Sequence, residues 1–399
     1  MLALLERLVG AARRGQCPTS RRRTTVACCI SRGRAAWAKA GQLGDTSHLA
    51  LRAAPVIMAN MQEITAENAL AYMRERGWIG SEPARVELLG GGVSNIVLRV
   101  ETNGRAMVLK QSRPQLRTRD AWFSDLDRVY REQEVMQALY PLLPADTVPE
   151  VLFVDRPNYV FVMSHAPAGA RVWKETLLAG EIDLALGQKV GAVLGLIHEH
   201  TFVDHRAVEP FSDHTVYVQL RVDPFYRRVQ ERRPEVAKAI EPIIERMLTI
   251  KEAICHGDYT PKNILVHDQG FTLVDYETAH FGDPTMDLGL CLAHIILKAV
   301  RRPALLVEYF ALTRAFWRGY RQMLELAPLK RWEAQGIDHF AACLLARIDG
   351  TSPVDYLPEE SKREAVRRIA RRILFDGPTL WDDVLYMIEA ELSKLQSEA

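Results

Sequence analysis

Long apolar runs are missing from this sequence of 399 residues. A bilayer-crossing helix needs roughly 20 consecutive apolar residues, and the most apolar run, Leu288 to Val300, contains His294 and Lys298. No membrane-spanning helix is therefore expected. Cysteine is also scarce. The six, at positions 17, 28, 29, 255, 291 and 343, show neither zinc-site nor redox-motif spacing, and Cys28 and Cys29 are adjacent. Reduced thiols in a cytoplasmic protein are the expectation, with Cys255, Cys291 and Cys343 packed as small apolar groups.

Net charge is nearly absent too, at +1, but the balance is uneven. Residues 1–60 hold nine arginines and Lys39 against Glu6 and Asp45, a charge of +8, which leaves −7 on the rest. An acidic body lacks the electrostatic footprint of a nucleic-acid binder. The basic stretch, with Arg21-Arg22-Arg23, scattered Ser, Thr and Gly and no sustained period, reads as a disordered or non-native N-terminal extension. Its composition is also that of a transit peptide. Met58 and Met61 stand just before the first patterned segment, so the functional chain is expected to begin there. With 48% hydrophobic and 25% charged residues, the remainder is long enough for two lobes with real cores.

What is present centres on Cys255-His256-Gly257-Asp258-Tyr259-Thr260-Pro261-Lys262-Asn263-Ile264-Leu265-Val266, followed by Leu273-Val274-Asp275-Tyr276-Glu277. A carboxylate, an amide five residues on and a second carboxylate closing an apolar run suit phosphoryl transfer. That reaction demands positioning, charge neutralisation and a proton acceptor rather than covalent chemistry. Asp258 suits the proton acceptor, and Asn263 and Asp275 offer hard oxygens to Mg2+. The runs flanking His267-Asp268-Gln269-Gly270 predict a hairpin that returns Asp275 to Asn263.

The pattern H-G-D-x-x-x-x-N, an apolar strand and D-Y-E resembles the motifs of the aminoglycoside phosphotransferase and choline kinase-like families, relatives of the protein kinases. Protein kinases read H-R-D and D-F-G at these places; Gly257 and Tyr276-Glu277 favour the small-molecule branch. The resemblance covers about residues 80–300 strongly. It implies an α+β, bilobal, protein-kinase-like fold, with a small antiparallel sheet and a larger, mainly helical lobe. It also implies ATP, Mg2+ and a small hydroxylated acceptor, either a metabolite or an aminoglycoside-like compound.

The small lobe is expected over 61–165. Thr65 to Arg76 predicts a helix capped by Thr65 and stopped by Gly77. Val86 to Leu89, Ile96 to Val100 and Met107 to Lys110 read as a meander, joined by Gly90-Gly91-Gly92-Val93-Ser94-Asn95 and by an Asn103-Gly104 turn. The glycine turn, with Gly91, Gly92, Ser94 and Asn95, is placed over phosphates. By the resemblance Lys110 holds the α- and β-phosphates, and its partner is Glu132, or alternatively Glu134, on a helix over Val129 to Leu139. Strands at Pro149 to Val154 and Tyr159 to Met163 lead to a linker, Ser164 to Gly169, where Met163 and His165 border the nucleotide.

The helical lobe is expected over 166–399. Leu184 to Glu199 has helical period; His198 and His200, two apart, face different ways and read as packing residues. Residues 234–254 predict a helix leading to the catalytic loop. Phe281-Gly282-Asp283-Pro284-Thr285-Met286-Asp287-Leu288 resembles the family's next motif, in which Asp287, like His256, gives structural support. Glu308 to Leu395 is helical in pattern except at Ile348 to Tyr356, where Asp349, Ser352 and Tyr356 are possible acceptor contacts. Two rival readings remain. A protein Ser/Thr kinase needs an activation segment longer than the stretch between Asp275 and Gly282, and a silent nucleotide-binding module predicts loss of Lys110, Asp258, Asn263 or Asp275.

Overall fold

The computed structural model describes residues 61–90, 95–113 and 125–397. The basic extension of residues 1–60, together with Gly91, Gly92 and Ser94, lies outside them. Five antiparallel strands form the first layer: β1 (Ala84–Leu88), β2 (Asn95–Thr102), β3 (Arg105–Ser112), β4 (Val151–Asp155) and β5 (Val160–Ser164), in the order β1-β2-β3-β5-β4. Asn103 and Gly104, at φ 48° and 71°, make the two-residue turn that lets β2 and β3 pair without splaying.

Strand alternation gives this sheet two faces. Ile96, Leu98, Val100, Met107, Leu109, Val160 and Val162 pack with Tyr72 and Met73 of helix α1 (Ala69–Glu75). Val108, Phe161 and Met163 point the other way, into the main core beside α2 (Arg128–Leu139). Lys110 is two residues from Val108, so its side chain shares that second face. α1 begins later than the Thr65 cap predicts. The Asn68 side chain captures the Thr65 N–H at 2.8 Å, and the intervening residues form a turn.

The helical lobe follows β5. Two-stranded and three-stranded ribbons, built from β6 (Arg171–Val172), β7 (Ala253–Cys255), β8 (Ile264–His267), β9 (Gly270–Leu273) and β10 (His280–Gly282), carry the motif residues. Around them lie α3 (Trp173–Ala179), α4 (Leu184–Val203), α5 (Ala237–Thr249), α6 (Thr285–Arg301), α7 (Leu306–Arg321), α8 (Leu329–Asp349), α9 (Glu360–Asp376) and α10 (Trp381–Ser397). The helix predicted over 234–254 stops at Thr249, because Ile250 turns extended and Ala253 to Cys255 pairs with β10.

α4 and α7 cross in close contact. A Cβ on Gly191 would lie 2.0 Å from the Phe316 carbonyl oxygen, and one on Gly319 would lie 2.0 Å from that of Gln188. α6 and α8 pack in the same way around a fully buried core of Leu288, Leu292, Phe340 and Leu344. These helices form the rigid floor on which the motif loop rests.

Candidate active site

The motif loop leaves β7 at Cys255 and is fixed first through its backbone. Asp287, in the first turn of α6, accepts the N–H of His256 at 2.5 Å and that of Gly257 at 2.8 Å. Behind it, His198 Nε2 lies 3.7 Å from Asp287 Oδ2, and His198 Nδ1 meets the Tyr320 hydroxyl at 2.9 Å. Gly257 has φ +75°, and a Cβ there would stand 2.6 Å from the Thr278 carbonyl. That explains a glycine where protein kinases carry arginine.

His256 is neutral by its hydrogen bonds. Nδ1 accepts the Asp258 N–H at 3.2 Å, so the proton sits on Nε2, which faces the Val274 carbonyl at 3.2 Å. Burial holds its pKa below the ordinary value. The loop is thus stiffened from both sides.

Asp258 is 5% exposed, and its Oδ2 meets three donors: Arg221 Nη2 at 2.9 Å, Lys262 Nζ at 2.8 Å and Asn263 Nδ2 at 2.9 Å. Burial opposes ionisation, but Arg221 and Lys262 outweigh it and hold the carboxyl below its usual range. Arg221 comes from Val218–Arg227, wound as a π-helix. Its guanidinium also donates to the Gly257 carbonyl at 2.7 Å.

The hairpin forms as the turn residues predict, with Ile264 opposite Leu273 and His267 opposite Gly270. Just beyond it, the Val274 N–H donates to the Asn263 carbonyl at 3.0 Å, which brings Asp275 beside Asn263. Asp275 has φ +73°, a conformation that costs a non-glycine residue ~1–3 kcal/mol. Lys110 Nζ meets Asp275 Oδ1 at 2.8 Å and Glu132 Oε1 at 2.8 Å. One ammonium from β3 therefore joins α2 to the loop after β9.

Burial alone would discharge Lys110, but the two carboxylates keep its pKa well above the ordinary value. They do not share the charge equally. Asp275, also against burial, is held far below the normal carboxyl range by Lys110, whereas burial pushes Glu132 up to about 7. Glu134, the alternative partner, faces Arg156 on the surface instead.

The remaining predicted positions divide. Asn95 gives its side-chain amide to Glu277 at 2.9 Å rather than leaving it open to a phosphate, and Glu277 in turn meets the fully buried Arg128 at 3.3 Å. Met163 is buried on the second face of the sheet, paired with Val108 and Val151. His165 is half-buried, and its backbone N–H donates to the Ala106 carbonyl. Asp349, offered as an acceptor contact, is instead the last residue of α8. Its carboxylate is occupied by Arg367 at 2.9 Å and Arg233 at 2.8 Å, an internal ionic tie. Ser352 is exposed, whereas Tyr356 is half-buried under two lysines.

Arg221, Lys262, Arg128 and Glu277 are the site residues that sequence patterns missed. Lys262 had a signal, since it follows Asp258 by four residues in the same tight loop. Glu277 lay inside the D-Y-E motif without a role. Arg221 had none.

The fit of a divalent cation can be tested on the oxygens left over. Among the described residues Asn263 Oδ1 and Asp275 Oδ2 accept no hydrogen bond, while their neighbouring atoms are engaged. No group of three or more His, Cys, Asp or Glu side chains among the described residues forms a cage. Two hard oxygens without a cage suit a Mg2+ ion that keeps waters and phosphate oxygens as its other ligands.

Comparison with known proteins agrees with this geometry. A model of the phosphotransferase enzyme family matches residues 85–326, more than half of the chain, and the chain belongs to that family. It is a small-molecule kinase that uses ATP, with a bilobal, protein-kinase-like fold. A methylthioribose kinase of Exiguobacterium sibiricum is 23% identical over 268 residues, 60% of this chain and 67% of its own length. One of Erwinia tasmaniensis is 26% identical over 334 residues, 73% and 83%. Similar solved structures include a macrolide 2'-phosphotransferase of Brachybacterium faecium (18% identity, 78% of this chain and 99% of that one, TM-score 0.45) and a choline/ethanolamine kinase family protein of Mesorhizobium loti (18%, 81% and 98%, TM-score 0.45). Among the described residues no helix is long and apolar enough to cross a membrane.

Proposed function

We propose that the protein moves the γ-phosphoryl group of ATP to a hydroxyl of a small metabolite, with Asp258 as the base. The observation that carries this is the convergence of Lys110, Glu132 and Asp275 next to the loop holding Asp258 and Asn263. Lys110, steadied by Glu132, binds the α- and β-phosphates, and the glycine turn around Gly91, Gly92 and Ser94 covers them. Asn263 and Asp275 hold Mg2+, which neutralises charge developing on the phosphates. Met163 and His165 border the adenine, with the small lobe over 61–165 and the catalytic lobe over 166–399. Lys262 beside Asp258 faces the incoming phosphoryl group.

A base held below the ordinary carboxyl range fits a loose transition state, in which the acceptor proton leaves late and little driving force is needed. The buried stretch from Tyr276 to Thr285 offers no peptide platform, which favours a small acceptor over a protein. Three buried free thiols, Cys255, Cys291 and Cys343, favour a cytoplasmic location. Asp258→Asn tests the central assignment. Turnover should fall by about 10²–10⁴ while ATP affinity stays within about threefold. Lost ATP affinity with unchanged residual turnover would refute the assignment.

A further inference from the structure

A second charged cluster lies within electrostatic reach of Asp258. Lys298 of α6 is 1% exposed, donates to the His294 carbonyl at 2.8 Å and has no carboxylate within 4.0 Å among the described residues. Its ammonium stands 5.3 Å from the Tyr356 ring centre, and that of Lys174 on α3 stands 5.8 Å from the same ring. The Tyr356 hydroxyl is buried with no hydrogen-bond partner among the described residues. Arg347 of α8 likewise buries an unpartnered Nε and is ion-paired with nothing among the described residues.

Arg347 connects this cluster to the catalytic loop. Its guanidinium lies 5.6 Å from the Phe225 ring, and Arg221, which grips Asp258, lies 5.6 Å from that ring too. α3 and α6 both pack against the Pro261 to Asn263 turn. After burial, the groups that act most strongly on His294 are Arg347, Lys298, Lys262 and Lys174, all cationic, and together they hold it neutral.

Burying an ammonium away from water costs several kcal/mol unless a counter-charge is supplied. Here three cations from three elements converge, and among the described residues little opposes them: Asp355 acts on Tyr356 but forms no ion pair with the cations, and Asp258 is already engaged by Arg221, Lys262 and Asn263. A cationic acceptor would be repelled and a neutral one would let Lys298, pushed down to about 7 by burial and Lys174, lose its proton, whereas an anion would hold that proton in place. The missing partner is negative.

We propose that the acceptor is an anion, its carboxylate or phosphate seated among Lys174, Lys298, Arg347 and the Tyr356 hydroxyl while its own hydroxyl reaches Asp258. This rests on Asp258 being the base. The acceptor O–H gives its proton to the Asp258 carboxylate, its oxygen bonds to the γ-phosphorus, and the bond to the β-phosphate oxygen breaks to release ADP. Lys298 takes no part in that exchange; it positions the acceptor.

The test uses the full chain in titration calorimetry and in an ADP-release assay. Probes are D-glycerate and D-ribose 5-phosphate, their neutral counterparts glycerol and D-ribose, and the cations ethanolamine and kanamycin. At least one anion should exceed its counterpart about tenfold in kcat/KM, and the carboxylate and phosphate arms tell which group is read. Lys298→Met should raise KM for that anion about tenfold, leaving KM for ATP and for the neutral counterpart within about twofold. Lys174→Met, at a half-buried position that tolerates change, should raise it about threefold and decides the matter if Lys298→Met does not fold. Preference for a neutral or cationic probe, binding of no anion, or an anion affinity indifferent to both variants would overturn the proposal. Anion binding that depends on Lys298 but yields no ADP would leave an anion site there and overturn the anion as acceptor.

Discussion

The charged clusters around Lys110 and around Lys298 are built on opposite plans. Around Lys110 every charge has a counterpart in place: Glu132 and Asp275 grip the ammonium, and Glu277 faces Arg128. Around Lys298 the cations stand without one among the described residues. The first cluster is pre-organised, so in the proposed function phosphates would meet a donor already aimed, with little reorganisation left. The second holds unbalanced charge that a ligand can relieve, which turns a folding cost into discrimination between ligands.

The comparison can be broken most sharply at Lys110. Lys110→Ala leaves two carboxylates facing incoming phosphates and should lower kcat/KM for ATP by at least about 10³, measured by steady-state kinetics. A loss below about tenfold would show that the balanced cluster is structural. Glu132→Gln keeps the shape and removes the charge, so a smaller loss of about 10–100-fold is expected, again in kcat/KM for ATP.

Asp258 provides the next test. Its depressed carboxyl stays ionised through neutral and mildly acid pH, so the acid limb of kcat should lie below the ordinary Asp value of about 3.9. Lys262→Met removes one of the two cations opposing burial, and the limb should move up in pH; an unmoved limb would mean that Lys262 does not act on Asp258.

Smaller effects concern stability. Asp349→Ala should lower stability by about 2 kcal/mol, read by denaturant unfolding, and leave acceptor KM unchanged, because Arg233 and Arg367 are its only described charge partners. Lys298 is pushed down to about 7 in the fold by burial and then by Lys174. Its folded value lies below the unfolded one, so its cost is complete below pH 7 and fades as pH rises toward the unfolded value. Lys298→Met should therefore raise Tm most at pH 6 and progressively less above pH 7.

Legibility from sequence followed the same division. Asp258, Asn263 and Asp275 lie in two short segments joined by a hairpin, so spacing and turn residues reveal them together. Lys110 was singled out by the family resemblance, since a lysine after an apolar run otherwise reads as an exposed surface residue. The second cluster is scattered over α3, α6, α8 and a loop, and helical period records which residues are buried but not which helices meet. His294 and Lys298 were visible only as interruptions of an apolar run. Asp349 misled for the converse reason: a carboxylate in a polar loop looks available until two arginines distant in sequence, Arg233 from a loop and Arg367 from α9, are seen to close on it. Arg221 rides on a π-helical segment, whose altered pitch no 3.6-residue pattern anticipates.

The left-handed backbone at Asp275 has an experimental consequence. Most replacements there would change two things at once, the carboxylate that meets Lys110 and the direction in which the peptide leaves the hairpin. Asparagine tolerates the same torsion, so Asp275→Asn subtracts charge alone and alanine adds a conformational penalty. The difference between those two variants isolates what the chain spends on holding that one residue twisted toward Lys110.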